Sequence, residues 1–254
     1  MGVLYRTIID PVDQPEGATQ MNVDKNTENS WASPDREAGA GRILVVVSVQ
    51  PEKEAVLRGL GGDSRFDVLV GGVGSVAAAA RTARRLATAE SGYSLVICAG
   101  IAGGFVGQAE VGSLVVAAEI IAADLGAETP DGFCSVDELG FGSARVQVED
   151  KLASRLTEAL RAAGLPVCHG PILTLSTVTG TAATASELKA RVPEAAAEAM
   201  EGYGVAIAAK DSGLPVLEIR SISNAVGPRN KAAWRMKEAF EALEAACKVI
   251  REVL

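Results

Sequence analysis

The sequence holds one histidine, His169, and four cysteines, Cys98, Cys134, Cys168 and Cys247, none of them in a C-x-x-C pair. A tetrahedral zinc site draws on closely spaced ligands of these types, so no such metal site is expected. The scattered thiols form no disulfide framework and read as reduced, which places the protein in the cytoplasm. Cys98 and Cys247, set among apolar residues, read as core packing. Positive charge is also in short supply: 24 Lys and Arg against 32 Asp and Glu leave a net charge of −8. Nucleic acid needs a concentrated positive field, so it is excluded as a partner and a small polar ligand is expected instead. No apolar run approaches the roughly 18 residues that would suggest a membrane span, and no basic start leads into an apolar stretch. Neither a membrane span nor a signal peptide is therefore expected.

What is present is a chain of 254 residues, 48% hydrophobic, enough for one large core. Residues 1–40 lack apolar periodicity and are rich in Pro, Asn, Asp, Glu and Gly, so they read as a disordered extension. The folded domain, 41–254, opens with ILVVVSV at 43–49, a β-branched run of the kind buried on both faces of a sheet. Further apolar runs at 67–74, 94–104, 112–124, 171–178 and 214–223 alternate with helical patterns at 76–89, 150–164, 185–192 and 231–252. The pattern predicts a single α/β domain with a mixed, mainly parallel central sheet flanked by helices. Residues 124–142, with little periodicity, read as a long loop. In such folds ligands collect at the carboxyl edge of the strands, so the residues that end each strand are the candidates for chemistry.

Four strand ends carry small or polar residues, in SVQPEKE, GGVGS, AGIAGG and SISNAVG. SVQPEKE follows the first strand, where acids after Pro51 also suit a helix start. GGVGS, containing Gly74, leads into an Ala-rich helix; its glycines let backbone amides approach an anion or a ribose, and they suit a tight ligand-free turn equally well. The G-x-G-x-x-G spacing of a dinucleotide site is missing. AGIAGGF, containing Ala102 and Gly103, can lie beside a flat ring or simply pack closely. AMEGYGVA at 199–206 and IRSISNAVG at 219–227 set carboxylate and amide side chains beside Gly and Ser. Taken by composition alone, EAAAEAME at 194–201 looks like a solvated helix, and Asn224 like a turn residue ahead of Gly227 and Pro228.

The order of these segments resembles the nucleoside phosphorylase superfamily, on its methylthioadenosine/adenosylhomocysteine nucleosidase side, across nearly all of residues 42–254. RSISNAVGPRN and AMEGYGVA are most similar to the futalosine hydrolases within it, which release hypoxanthine from a nucleoside in menaquinone biosynthesis. The resemblance implies that Met200 packs under the sugar while Glu201 accepts hydrogen bonds from its vicinal hydroxyls, a task that suits the several lone pairs of a carboxylate. It places the water-activating glutamate on Glu54, with Glu52 as the rival. The leaving-base position, an aspartate in the adenine-specific nucleosidases, falls on Asn224, whose amide cannot protonate adenine N7 but can donate to the N7 and O6 of a 6-oxopurine. Gly74, Ala102, Gly103 and Ser223 would complete the substrate contacts. Arg220, an even step from Asn224, is expected on the same sheet face in a supporting role.

Phosphorylases of the superfamily hold phosphate with arginines where this chain has SVQPEKE and CAGIAGG, so hydrolysis is expected. Phe133 and Phe141 either stack on a ring or anchor their loop. The resemblance also implies a homo-oligomer and a chemistry that requires no metal or redox cofactor. Two alternatives stay open: another purine nucleosidase, of the methylthioadenosine/adenosylhomocysteine type, and a non-catalytic nucleoside-binding protein of the same fold.

Overall fold

The computed structural model describes residues 41–90 and 92–254; the extension expected at 1–40 lies outside the described residues. The buried runs form strands β1 (Arg42–Val47), β2 (Phe66–Val70), β3 (Tyr93–Gly104) and β4 (Leu114–Ala122). They are followed by β5 (Gly126–Thr129), β6 (Gly132–Ser135), β7 (Arg145–Gln147), β8 (Val167–Thr174), β9 (Ala197–Ala199) and β10 (Val216–Ala225). The helices are α1 (Gln50–Leu60), α2 (Ser75–Thr88), α3 (Val136–Leu139), α4 (Asp150–Ala162), α5 (Ala182–Arg191), α6 (Gly202–Asp211) and α7 (Met236–Val253). No helix among the described residues is long and apolar enough to cross a membrane.

The sheet is mixed, as the alternating pattern predicts. Parallel pairs join β1 to β2 and β3, β3 to β10, and β8 to β4 and β9. β10 runs antiparallel to β4, β9 to β3 and β7 to β4. The pairings β3–β10–β4–β8–β9–β3 close a ring, with β1 and β2 extending from β3 outside it. Alternation along β3 sorts the core into two layers. Leu95, Ile97 and Ala99 join residues of α1, α4 and α7, including Val56, Leu156, Leu243 and Ile250. Val96, Cys98 and Ala102 join Ala78 of α2 and Val205, Ala206 and Ala209 of α6.

Two segments depart from the sequence reading. Residues 124–142 are not one loop: β5 and β6 pair antiparallel around Pro130-Asp131-Gly132, with Gly132 at a φ of 116° that only glycine adopts freely. Ser135 then caps α3, its Oγ accepting from the Glu138 amide while Glu138 Oε2 accepts from the Ser135 amide, the reciprocal box that S-x-x-E encodes. Within EAAAEAME, Ala197–Ala199 is strand β9, wedged between β8 and β3 and buried at every residue. Sheet pairing there overrides the helical propensity of alanine.

Candidate active site

The strand ends of β1, β3 and β10 bring a set of charged groups into the interior. The first is Glu52, in the opening turn of α1 and only 1% exposed. Its Oε2 accepts from the Ser48 amide at 2.8 Å, the Ser48 hydroxyl at 2.5 Å and the Val49 amide at 3.2 Å, while Oε1 accepts from the Ile101 amide at 2.9 Å. Oε2 is thereby saturated, and Oε1 keeps a lone pair free. Glu54 is different: it is exposed, its Oε1 taking a 3.3 Å bond from Gln50 Nε2. The helical turn that points Glu52 inward points Glu54 outward, so Glu52, the rival in the sequence reading, is the one the fold brings to the strand ends.

Arg220, on β10, is the center of this charge cluster and is also 1% exposed. Its Nε donates to Glu218 Oε1 at 2.8 Å, its Nη1 to Glu201 Oε2 at 3.3 Å and its Nη2 to Cys98 Sγ at 3.1 Å. Burial pushes the Cys98 thiol well above its ordinary value, so it stands beside the guanidinium as a neutral group. Gly100 makes the approach of Glu52 possible, because a Cβ there would come 2.5 Å from Glu52 Oε1 and 2.9 Å from Arg220 Nη1. Glu201, 6% exposed, has its other oxygen on the Gly74 amide at 3.2 Å. Gly74 holds a φ of 89° at the start of α2, the left-handed region that lets the amide turn toward the carboxylate. The small residues after Glu201 also have a physical reason. A Cβ on Gly202 would meet Glu218 Oε2 at 2.1 Å, and one on Gly204 the Ser75 carbonyl oxygen at 2.1 Å, so both must be glycine for α6 to seat against β10 and α2.

Asn224 and Ser223 form a second group. Ser223 Oγ lies 2.8 Å from Asn224 Oδ1 and 3.2 Å from the Ala102 carbonyl, and Asn224 Nδ2 donates to the Ala225 carbonyl at 3.0 Å. The expectation that Arg220 and Asn224 share a face is corrected by a β-bulge. Arg220 registers with Gly100 and Ile222 with Ala102, but Asn224 registers with Gly103, so two steps on β10 match one on β3. Asn224 is thereby turned to the opposite face, where a Cβ on Gly103 would meet its Nδ2 at 3.3 Å. The bulge thus sets Asn224 beside Gly103 and the charged cluster beside Gly100, at successive points along the same strand ends.

Against this geometry, the model of the phosphorylase superfamily matches residues 33–254. A futalosine hydrolase from Streptomyces coelicolor is 47% identical over 230 residues, covering 84% of this chain and 96% of that protein. The chain belongs to the phosphorylase superfamily, among its futalosine hydrolases. A second futalosine hydrolase, from Acidothermus cellulolyticus, is 46% identical over 223 residues, 80% of this chain and 90% of its own. The fold is shared with a futalosine hydrolase of Helicobacter pylori at a TM-score of 0.73 and 18% identity, over 84% of this chain and 98% of that one. It is shared too with a 5'-methylthioadenosine/S-adenosylhomocysteine nucleosidase of Neisseria meningitidis at a TM-score of 0.68 and 21% identity, over 84% and 98%.

Within this superfamily fold, Arg220 and Glu52 meet at Gly100, Glu201 joins Arg220 to the Gly74 amide, and Ser223, Asn224, Ala102 and Gly103 meet across the bulge. Met200 stands between β9 and α6, half-buried. Phe133 and Phe141 are not gathered there: the Arg191 guanidinium sits 4.2 Å from the Phe133 ring, in a separate cavity of about 410 Å³, and Phe141 is 83% exposed. Glu218 escaped the sequence reading. Its signal was a lone acid in the apolar strand VLEIRSIS, two residues from Arg220 and so on the same face.

Proposed function

We propose that the protein hydrolyses the N-glycosidic bond of futalosine, releasing hypoxanthine and leaving dehypoxanthine futalosine, a step of menaquinone biosynthesis. The observation that carries this reading is the buried Glu201 carboxylate, fixed between the Gly74 amide and Arg220 at the carboxyl edge of the sheet. A carboxylate held this way is pre-oriented to accept the vicinal hydroxyls of a ribose, through charge-assisted bonds of about 1.5–3 kcal/mol each.

Departure of the base requires stabilisation of the charge that builds on it. Asn224 supplies a donor: one hydrogen of Nδ2 is spent on the Ala225 carbonyl, and the second is free for N7 or O6 of the purine. The contact with Ser223 at Oδ1 fixes which end of the amide donates. As the ribosyl group gains oxocarbenium character, a water at C1′ gives its proton to a carboxylate. Glu52, not Glu54, has the burial and the free lone pair on Oε1 for that role. Holding sugar and water in the reacting geometry contributes several kcal/mol of barrier lowering.

Water is preferred to phosphate because Arg220 is already committed to two carboxylates, and three acidic side chains, Glu52, Glu201 and Glu218, surround it. A phosphate dianion placed there meets net repulsion. The same reading makes the protein a cytoplasmic homo-oligomer. Exposed Val73 and Val76, beside Gly74, are the apolar residues that a second copy would cover, and the mass in solution by light scattering tests it.

The reading is tested by incubating the purified protein with futalosine, inosine and methylthioadenosine, with and without phosphate, and measuring the free base. Hypoxanthine from futalosine at a rate indifferent to phosphate supports it; adenine from methylthioadenosine as the main product sinks it.

A further inference from the structure

Glu218 is a buried acid to which the chemistry above gives no direct part. On β10 it pairs in register with Cys98 of β3, while Arg220, two residues on and on the same face, pairs with Gly100. The guanidinium is held at three corners. Its Nε donates to Glu218 Oε1 at 2.8 Å, its Nη2 to Cys98 Sγ at 3.1 Å and its Nη1 to Glu201 Oε2 at 3.3 Å. These holds are unequal. A neutral thiol is a weak acceptor, and the Glu201 bond is the longest of the three. The bond to Glu218 is the shortest and is charge-assisted, so it sets the plane of the guanidinium. Glu201 depends on that plane, because its own carboxylate is held only by bonds of 3.2 Å from the Gly74 amide, 3.3 Å from Arg220 and 3.4 Å from the Met200 amide. Glu218 reaches Glu201 by a second route as well. A Cβ on Gly202 would meet Glu218 Oε2 at 2.1 Å, so this oxygen rests against the opening residue of α6, next to Glu201 in the chain.

We infer that Glu218 is a positioning residue for the cleavage: it locks Arg220 so that Nη1 meets Glu201 and keeps that carboxylate aimed at the ribose hydroxyls. This deepens the proposed function and rests on it. Glu218 is 0% exposed and touches no substrate, so its influence runs through Arg220 and the start of α6. A guanidinium without a partner at Nε is free to turn about its Cδ–Nε bond and carry Nη1 away from Glu201. The bond to Oε1 removes that freedom. The same lock keeps Nη1 on the side of Gly100, where a Cβ would come 2.9 Å from Nη1 and 2.5 Å from Glu52 Oε1. One buried acid thus orders the edge of Arg220 that faces both the sugar-binding and the proton-accepting carboxylates. A displacement of about 1 Å in such a group, caused at a distance from the reacting atoms, can cost about 100-fold in rate.

Two variants separate position from charge. Glu218→Gln keeps an acceptor oxygen at the same reach and loses the charge; Glu218→Asp keeps the charge and draws the oxygen back by one methylene. Both are assayed on futalosine and on its 2′-deoxy analogue, with urea denaturation to establish the folded fraction. Glu218→Gln is expected to keep kcat/KM for futalosine within about fivefold of the parent. Folded Glu218→Asp is expected to lose on the order of 10- to 100-fold, and its penalty for the missing 2′ hydroxyl should be smaller than the parent's by about threefold or more. A role confined to stability lowers the urea midpoint of Glu218→Asp and leaves both rates of the folded protein unchanged, which overturns the inference. An unchanged penalty for the missing hydroxyl overturns it as well. A loss beyond about fivefold in folded Glu218→Gln does the same, since charge rather than position would then carry the effect. That arm decides the matter if Glu218→Asp does not fold. If the unaltered protein releases no hypoxanthine from futalosine, or is indifferent to the 2′ hydroxyl, the underlying reading fails and takes this one with it. Normal behaviour of the unaltered protein together with full activity in Glu218→Asp defeats this one alone.

Discussion

Glu201 and Arg220 meet in the interior with Glu201 Oε2 3.3 Å from Arg220 Nη1, and the same guanidinium is held from its other edge by Glu218 Oε1 at 2.8 Å. One buried cation thus serves two buried carboxylates, with Glu52 close by across Gly100. Burial raises the Glu218 carboxyl while Arg220 draws it back, so the cluster stands only while the guanidinium is present.

Arg220→Met removes that cation and leaves Glu201 and Glu218 buried without compensation. We expect a loss of about 3–5 kcal/mol in unfolding free energy, the usual size for breaking a buried pair from one side. Urea denaturation of the variant against the parent checks it; a loss below about 1 kcal/mol would mean that the three groups are not mutually dependent.

Glu201→Gln keeps an acceptor for the Gly74 amide and removes the charge that receives the ribose hydroxyls. In the parent protein, a 2′-deoxy substrate should lose on the order of 10- to 100-fold in kcat/KM. In the variant, deleting the same hydroxyl should cost little, since the interaction is already gone. Equal penalties in the two proteins would separate Glu201 from the sugar.

The two acids of PEKE are expected to part. Glu52→Gln should lower kcat by about 10²- to 10⁴-fold with KM little changed, the usual range for a lost general base. Glu54→Gln, on an exposed helix face, should stay within about twofold of the parent. Steady-state kinetics on futalosine decide it, and the reverse pattern would return the role to Glu54.

How much of this was legible depended on whether a feature was local. Buried strands announced themselves by β-branched runs such as ILVVVSV, and their polar ends marked the edge where Glu201, Gly74 and Arg220 meet. The choice between Glu52 and Glu54 was not legible, because it turns on the rotation of α1 about its axis, set by packing of Ala55, Val56 and Leu60. Nor was the face of Asn224: strict alternation holds only without a bulge, and the bulge at Ser223 arises from pairing with β3. β9 was hidden for a related reason, since Ala-Glu-Ala is a strand only because β8 and β3 flank it. The hairpin of β5 and β6 was legible in principle from Pro130-Asp131-Gly132.

The central claim is that water, not phosphate, attacks C1′ of futalosine. Turnover in ¹⁸O-enriched water with phosphate present, followed by mass spectrometry of the sugar product, tests it directly. The account predicts dehypoxanthine futalosine carrying one ¹⁸O, together with free hypoxanthine. A sugar 1-phosphate without the label would contradict it.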